Sequence, residues 1–78
     1  MPKPYATNNK NLIAKKLIAL RERHGLSQRD LAQQMQQAGY HIDKNVIYRI
    51  ENNNRYVFDL ELKAFAEFFH ITYEELLD

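Results

Sequence analysis
The stretch Lys44-Asn45-Val46-Ile47-Tyr48-Arg49-Ile50-Glu51-Asn52 divides cleanly when it is wound as a helix. Val46, Ile47 and Ile50 fall on one side. Lys44, Asn45, Tyr48, Arg49 and Asn52 fall within one arc on the other. Asp43 stands just before the stretch and is suited to accept the free N–H groups of a first helical turn. The apolar side can hold such a helix against a domain, and the outer arc carries donors that read base edges. Arg pairs with guanine N7 and O6 and Asn with adenine N6 and N7, each bidentate pair discriminating by about 1–3 kcal/mol. An ordinary amphipathic surface helix has the same periodicity. The arc therefore points to the major groove only together with its surroundings.

Working outward, the neighbouring segments are helical too. Upstream, Asn11 to His24 places Ile13, Leu17 and Leu20 on one stripe, with His24 on that stripe near its end and Gly25 as a left-handed stop. Ser27 with Asp30 three residues on reads as a capping box, and Leu31, Ala32 and Met35 form the inner face of a second helix that Gly39 can close. Downstream, Asn52-Asn53-Asn54-Arg55 is a polar loop, with Asn able to adopt positive φ. Asp59 is the N-cap candidate of a fourth helix with Leu62, Phe65, Ala66 and Phe69 inside. Thr72 and Glu75 form a capping box for a short fifth helix carrying Leu76 and Leu77. No strand pattern and no internal repeat stands out.

The pattern predicts an all-α fold, a compact five-helix bundle. Its core is expected to hold Ile13, Leu17, Leu20, Leu31, Ala32, Met35, Ile47, Ile50, Leu62, Phe65, Ala66, Phe69, Ile71 and Leu76. Residues 1–10, polar and holding both prolines, read as a flexible arm, and residues 11–78 as one domain.

Composition narrows the function. The chain has 78 residues and no Cys, so disulfides and thiolate metal sites are excluded. The opening Met1-Pro2-Lys3-Pro4 leads into no apolar run, so neither a signal segment nor a membrane span is expected, and a cytoplasmic location fits. Net charge is only +1, but it is polarised. Residues 1–58 carry ten Lys/Arg against four acids, and residues 59–78 carry one Lys against six. The basic part suits phosphates and the acidic part suits a side facing away. Catalysis is not expected. Besides the tyrosines the hydroxyls are Thr7, Ser27 and Thr72, and two of these serve as caps. His24, His41 and His70 share no metal-ligand spacing, and neither metal nor cofactor is expected. His70 occupies the place of a helix-ending Gly, and His41 lies with Asp43 in an exposed turn.

Three words in order, Ser27-Gln28-x-x-Leu31-Ala32, then Val46 to Asn52, then Phe65-Ala66-x-x-Phe69-x-Ile71-Thr72-x-x-Glu75-Leu76, resemble the Cro/C1-type (Xre-like) helix-turn-helix regulators. The resemblance runs from about Ile13 to Leu77. It implies that the second and third helices form a DNA-binding unit. By it, Lys44, Asn45 and Arg49 match positions that reach bases, and Tyr48 a position facing the groove. Gln28 matches a residue that touches a phosphate and braces the third helix, and Asn52 and Arg55 match the loop on the DNA backbone. Arg21 and Glu51 match a structural ion pair between the first and third helices.

Two departures stand out. The connection from Met35 to Asp43 is about five residues longer than the family's tight turn, which resembles a subset with a lengthened turn anchored by an apolar residue such as Ile42. Asn53 stands where Gly commonly follows Glu-Asn.

The implied function is a sequence-specific regulator of transcription, a repressor, bound to a palindromic operator on double-stranded DNA. One such domain reads only about 4–6 base pairs, so a homodimer on two half-sites is expected. Phe68, Tyr73 and Leu77 are left over once the core is filled and are the expected dimer interface. The alternative is an antitoxin- or adaptor-like protein-interaction module on the same fold. Salt separates the two, because DNA affinity falls steeply through counterion release.

Overall fold
Four of the helix starts, and four of the stops, fall at chemically identifiable residues. The structure, a computed structural model, describes residues 10–77, with side-chain burial from residue 13 to 77. In chain order the helices are α1 (Lys10–Arg23), α2 (Gln28–Gln37), α3 (Lys44–Glu51), α4 (Asp59–Phe69) and α5 (Tyr73–Leu77). No strand occurs among the described residues. The five-helix, all-α reading of the sequence holds. The arm expected over 1–10 lies outside the described residues, apart from Lys10, which opens α1.

Three of the starts are the caps read from sequence. The Asp30 N–H donates to Ser27 Oγ at 3.0 Å, while the Ser27 N–H reaches back to Asp30 Oδ2 at 3.3 Å. The Val46 N–H donates to Asp43 Oδ1 at 2.9 Å. The Glu75 N–H donates to Thr72 Oγ1 at 3.0 Å, and the Thr72 N–H to Glu75 Oε1 at 2.9 Å. The fourth start corrects the sequence reading. Phe58, not Asp59, is the N-cap of α4, in extended conformation. A phenyl ring cannot accept a hydrogen bond, so only the reciprocal half of a capping box forms, from the Phe58 N–H to Glu61 Oε1 at 3.0 Å. That bond starts the helix one residue early. It moves Asp59 into the first turn, where a negative charge suits the positive end of the helix dipole.

The stops share one device. The four positive-φ residues among those described are Gly25, Gly39, Asn53 and His70, and each ends a helix. In each case the next residue's N–H reaches the carbonyl five back: Leu26 to Arg21, Tyr40 to Met35, Asn54 to Arg49 and Ile71 to Ala66, at 2.8–3.0 Å. This is the Schellman closure, which satisfies carbonyls the helix leaves free. Gly25 and Gly39 take the left-handed conformation without the penalty a Cβ imposes.

Between these ends the apolar stripes meet. α3 packs against α1 and α2, and α5 packs against α1 and α4. Leu17, Leu31, Met35, Ile47, Ile50, Phe65 and Leu76 are the large side chains wholly out of water. Ala14, Ile42 and Ala64 are buried as well, beyond the predicted core. Leu62 and Ile71, expected inside, are only half-buried. They lie at stripe edges, and so short a chain lacks the bulk to cover both flanks of every helix. His24 also departs from its predicted inner position. The residue is exposed, its Nδ1–H donates to the Leu20 carbonyl at 2.9 Å, and its ring leans on Phe69 at 5.1 Å. It therefore covers the core edge instead of entering it.

Candidate nucleic-acid interface
The third helix presents what its sequence pattern divides. Ile47 and Ile50 are buried and Val46 half-buried. Lys44, Asn45, Tyr48, Arg49 and Asn52 are exposed on the other side. Among the described residues, no hydrogen bond or ion pair engages the side chains of Lys44, Asn45 or Arg49. Their donors are free to meet a partner. Asn52 is partly used, since its Nδ2–H donates to the Tyr48 carbonyl at 2.8 Å and tidies the helix end.

The orientation of this face is set by Glu51, the last residue of α3. Its carboxylate accepts from Arg21 Nε at 2.7 Å and Arg21 Nη2 at 2.9 Å, a bidentate pair between α1 and α3. Gln28, the first residue of α2, donates its Nε2–H to the same carboxylate at 2.8 Å. The third Arg21 nitrogen donates to the Leu26 carbonyl in the α1–α2 turn at 3.0 Å. Three helices thus meet at one carboxylate that is 4% exposed, and the α1–α2 turn is tied to the guanidinium that grips it. Its hydrogen bond raises the Arg21 pKa above the usual guanidinium value, and burial works the other way. Bidentate, charge-assisted geometry of this kind fixes angle as well as distance.

The long connection before α3 is also tied down. Ile42 is buried, the Gln36 Nε2–H donates to the Ile42 carbonyl at 3.1 Å, and the Tyr40 hydroxyl donates to Glu67 Oε1 at 2.9 Å. That last bond raises the Tyr40 pKa, because losing the proton would set a phenolate beside a carboxylate. The turn is therefore braced on α2, on α4 and in the core. Ile42 was legible as an apolar anchor. The Tyr40–Glu67 bond spans 27 residues and leaves no local signal.

Arg55 lies elsewhere than an open DNA-backbone loop suggests. Its Nη2 is 3.1 Å from Glu61 Oε2, and its guanidinium stacks over the Phe58 ring at 5.1 Å. The pair ties the loop after α3 to the first turn of α4. Of the α4–α5 residues left over in the sequence, Phe68 is half-buried and packs edge-on against Phe69 at 5.0 Å, and Leu77 is half-buried against the core. Tyr73 stays half in water. Sequence reasoning missed a second apolar set, Tyr56, Phe58 and Leu60, all exposed. Phe58 and Leu60 flank the first residue of α4 and lie off its Leu62-Phe65-Ala66-Phe69 stripe, a signal present in the sequence but unread.

Among the described residues no group of His, Asp and Glu is placed to hold a metal, and no helix is long and apolar enough to cross a membrane. A family model described as helix-turn-helix matches residues 17–76, which takes in the second half of α1 and everything through Leu76. No curated protein and no solved structure matches significantly. The matched span holds the braced pair α2 and α3 and their outward polar face, and the chain belongs to the Cro/C1-type helix-turn-helix family, a family of DNA-binding regulators generally without catalytic activity.

Proposed function
We propose that the protein is a sequence-specific repressor that reads the major groove of double-stranded DNA with α3. The observation that carries this reading is the set of unengaged donors of Lys44, Asn45 and Arg49 on a helix fixed by Arg21, Gln28 and Glu51. Arg49 and Asn45 supply bidentate base contacts, Lys44 a further contact, and Tyr48 a thymine methyl or phosphate contact. Gln28 keeps donor capacity beyond its bond to Glu51 and can serve a phosphate while bracing α3. Asn52 and Arg55 lie along the DNA backbone, Arg55 exchanging Glu61 for a phosphate. The protein works in the cytoplasm as a homodimer on a palindromic operator whose half-sites are about one helical turn apart. The α4–α5 face with Phe68, Tyr73 and Leu77 is one surface on which two copies can meet.

The test begins with selection from a pool of randomised duplexes. A recurrent motif is expected, with affinity falling steeply as salt rises. Against the selected duplex, Arg49→Ala should weaken binding by about 5- to 150-fold and relax preference at one base pair. Arg55→Ala should weaken all duplexes alike and lower the salt slope by about one unit. Identical behaviour of the two variants overturns this division of roles. Salt-insensitive binding, or no enriched motif, favours the adaptor-like alternative.

A further inference from the structure
Arg21 and Arg55 each pair with a glutamate, but the two pairs are built differently. Arg21 grips Glu51 through two nitrogens at 2.7 and 2.9 Å and gives a third to the Leu26 carbonyl. Opening that pair strands a guanidinium and a carboxylate that are both largely out of water. Arg55 meets Glu61 through Nη2 at 3.1 Å, and its guanidinium rests over the Phe58 ring at 5.1 Å. Both side chains keep an edge in water, 17% and 16% exposed.

Parting this second pair orphans neither group. Glu61 keeps its other oxygen on the Phe58 N–H at 3.0 Å, so α4 stays capped. Arg55 keeps the ring beneath it. Stacking occupies the face of a guanidinium and leaves its in-plane N–H donors for an anion. The pair is therefore able to open without disturbing the helix it touches.

We propose that Glu61 is an internal rival of the DNA phosphate for Arg55, a carboxylate that occupies the guanidinium in the free chain and holds DNA affinity below what the basic side chains could reach. The proposal rests on the DNA reading above and deepens it, by assigning the residue that sets the strength of the backbone contact. Lys44 and Arg49 offer their charge to DNA unmet, whereas the charge of Arg55 is already met by an acid. A phosphate that reaches Arg55 comes up against that acid. Like charges repel at such range, so binding exchanges one ion pair for another. A phosphate carries no base identity, so the exchange weighs on every sequence alike. Glu61 is thus a positioning residue. It acts on DNA through Arg55 and leaves the preferred motif unchanged.

Glu61→Gln is the informative substitution, because the amide keeps an acceptor for the Phe58 N–H and loses the charge. Fluorescence anisotropy compares the full chain and its variants on the duplex recovered by selection and on a scrambled duplex. Glu61→Gln should bind both about three- to tenfold more tightly than the wild type, with the ratio between them unchanged. In an Arg55→Ala background the same substitution should change affinity by less than about twofold, since the rivalry needs the guanidinium. Immobilised heparin, which has anions and no bases, repeats the cycle without DNA. There Glu61→Gln should elute at higher salt than the wild type, and adding it to Arg55→Ala should shift nothing. Circular dichroism checks that every variant keeps its helix content. Weaker binding by folded Glu61→Gln would show that the carboxylate presents Arg55 instead of withholding it. An equal gain with and without Arg55 would reduce the effect to bulk charge. Either result overturns the proposal. A chain that selects no motif yet gives the expected cycle on heparin would fail the base reading and leave the rivalry standing.

Discussion
Phe65→Ala should leave the chain largely unfolded at room temperature. Phe65 is 1% exposed on the inner face of α4, in the cluster that also holds Leu17, Leu31, Ile47, Ile50 and Leu76. Removing a buried phenyl group forfeits its transfer free energy and leaves a cavity, together about 3–5 kcal/mol. A single core in a domain of this size rarely supplies more than about 3–5 kcal/mol in all. The neighbours can do little to fill the space, because they are held by helix ends closed at Gly25, Gly39, Asn53 and His70. Urea unfolding followed by circular dichroism should show the wild-type transition and, for the variant, no folded baseline. A variant with the wild-type midpoint would show that the core does not depend on this ring. Leu60→Ser on the same helix should leave the midpoint nearly unchanged at concentrations where the chain is monomeric, because Leu60 is exposed on the single chain.

The second large effect is expected from Glu51→Ala. The substitution strands the Arg21 guanidinium, whose side chain is only 15% exposed, and removes the acceptor of Gln28. Breaking a buried pair by deleting one partner typically costs about 3–5 kcal/mol, because the surviving charge stays desolvated. Arg21 keeps its bond to the Leu26 carbonyl, which places the expected loss toward the lower end of that range. Replacing both partners, as in Arg21→Met with Glu51→Leu, should recover much of the loss. A double-mutant cycle read from urea midpoints measures the coupling. If the single and the double replacements are equally destabilising, the two residues do not act as a pair. The same cycle bears on function, because Glu51 fixes the end of α3 from which Tyr48 and Arg49 project.

How far the chain could be read in advance depends on the range of the forces involved. Ser27, Asp43 and Thr72 are caps because the bond each makes lies within three residues, and such bonds are visible in sequence. Gly25, Gly39, Asn53 and His70 were legible as stops for the same local reason. Asp59 misled because a rule about residue type cannot register that Glu61 takes the Phe58 N–H while holding Arg55. The outer arc of α3 was legible from periodicity alone. The braces of the long turn were not, since the Tyr40–Glu67 bond exists only once α2 and α4 have been brought together. The exposure of Phe58 and Leu60 was hidden for the same reason. Exposure of an apolar residue is a property of the packed domain, and the helical period of α4 says only that Leu60 lies off the main stripe.

Amide shift mapping tests the central claim most directly. Isotope-labelled protein is titrated with the duplex recovered by selection, and the perturbed backbone amides are placed on the structure. Reading by α3 predicts the largest changes from Lys44 to Asn52, at Gln28, and in the loop through Arg55, with Glu74 and Glu75 at the acidic end silent. Perturbations confined to α5 or to the surface around Tyr40 and Phe58, with Lys44, Asn45 and Arg49 unmoved, would contradict it.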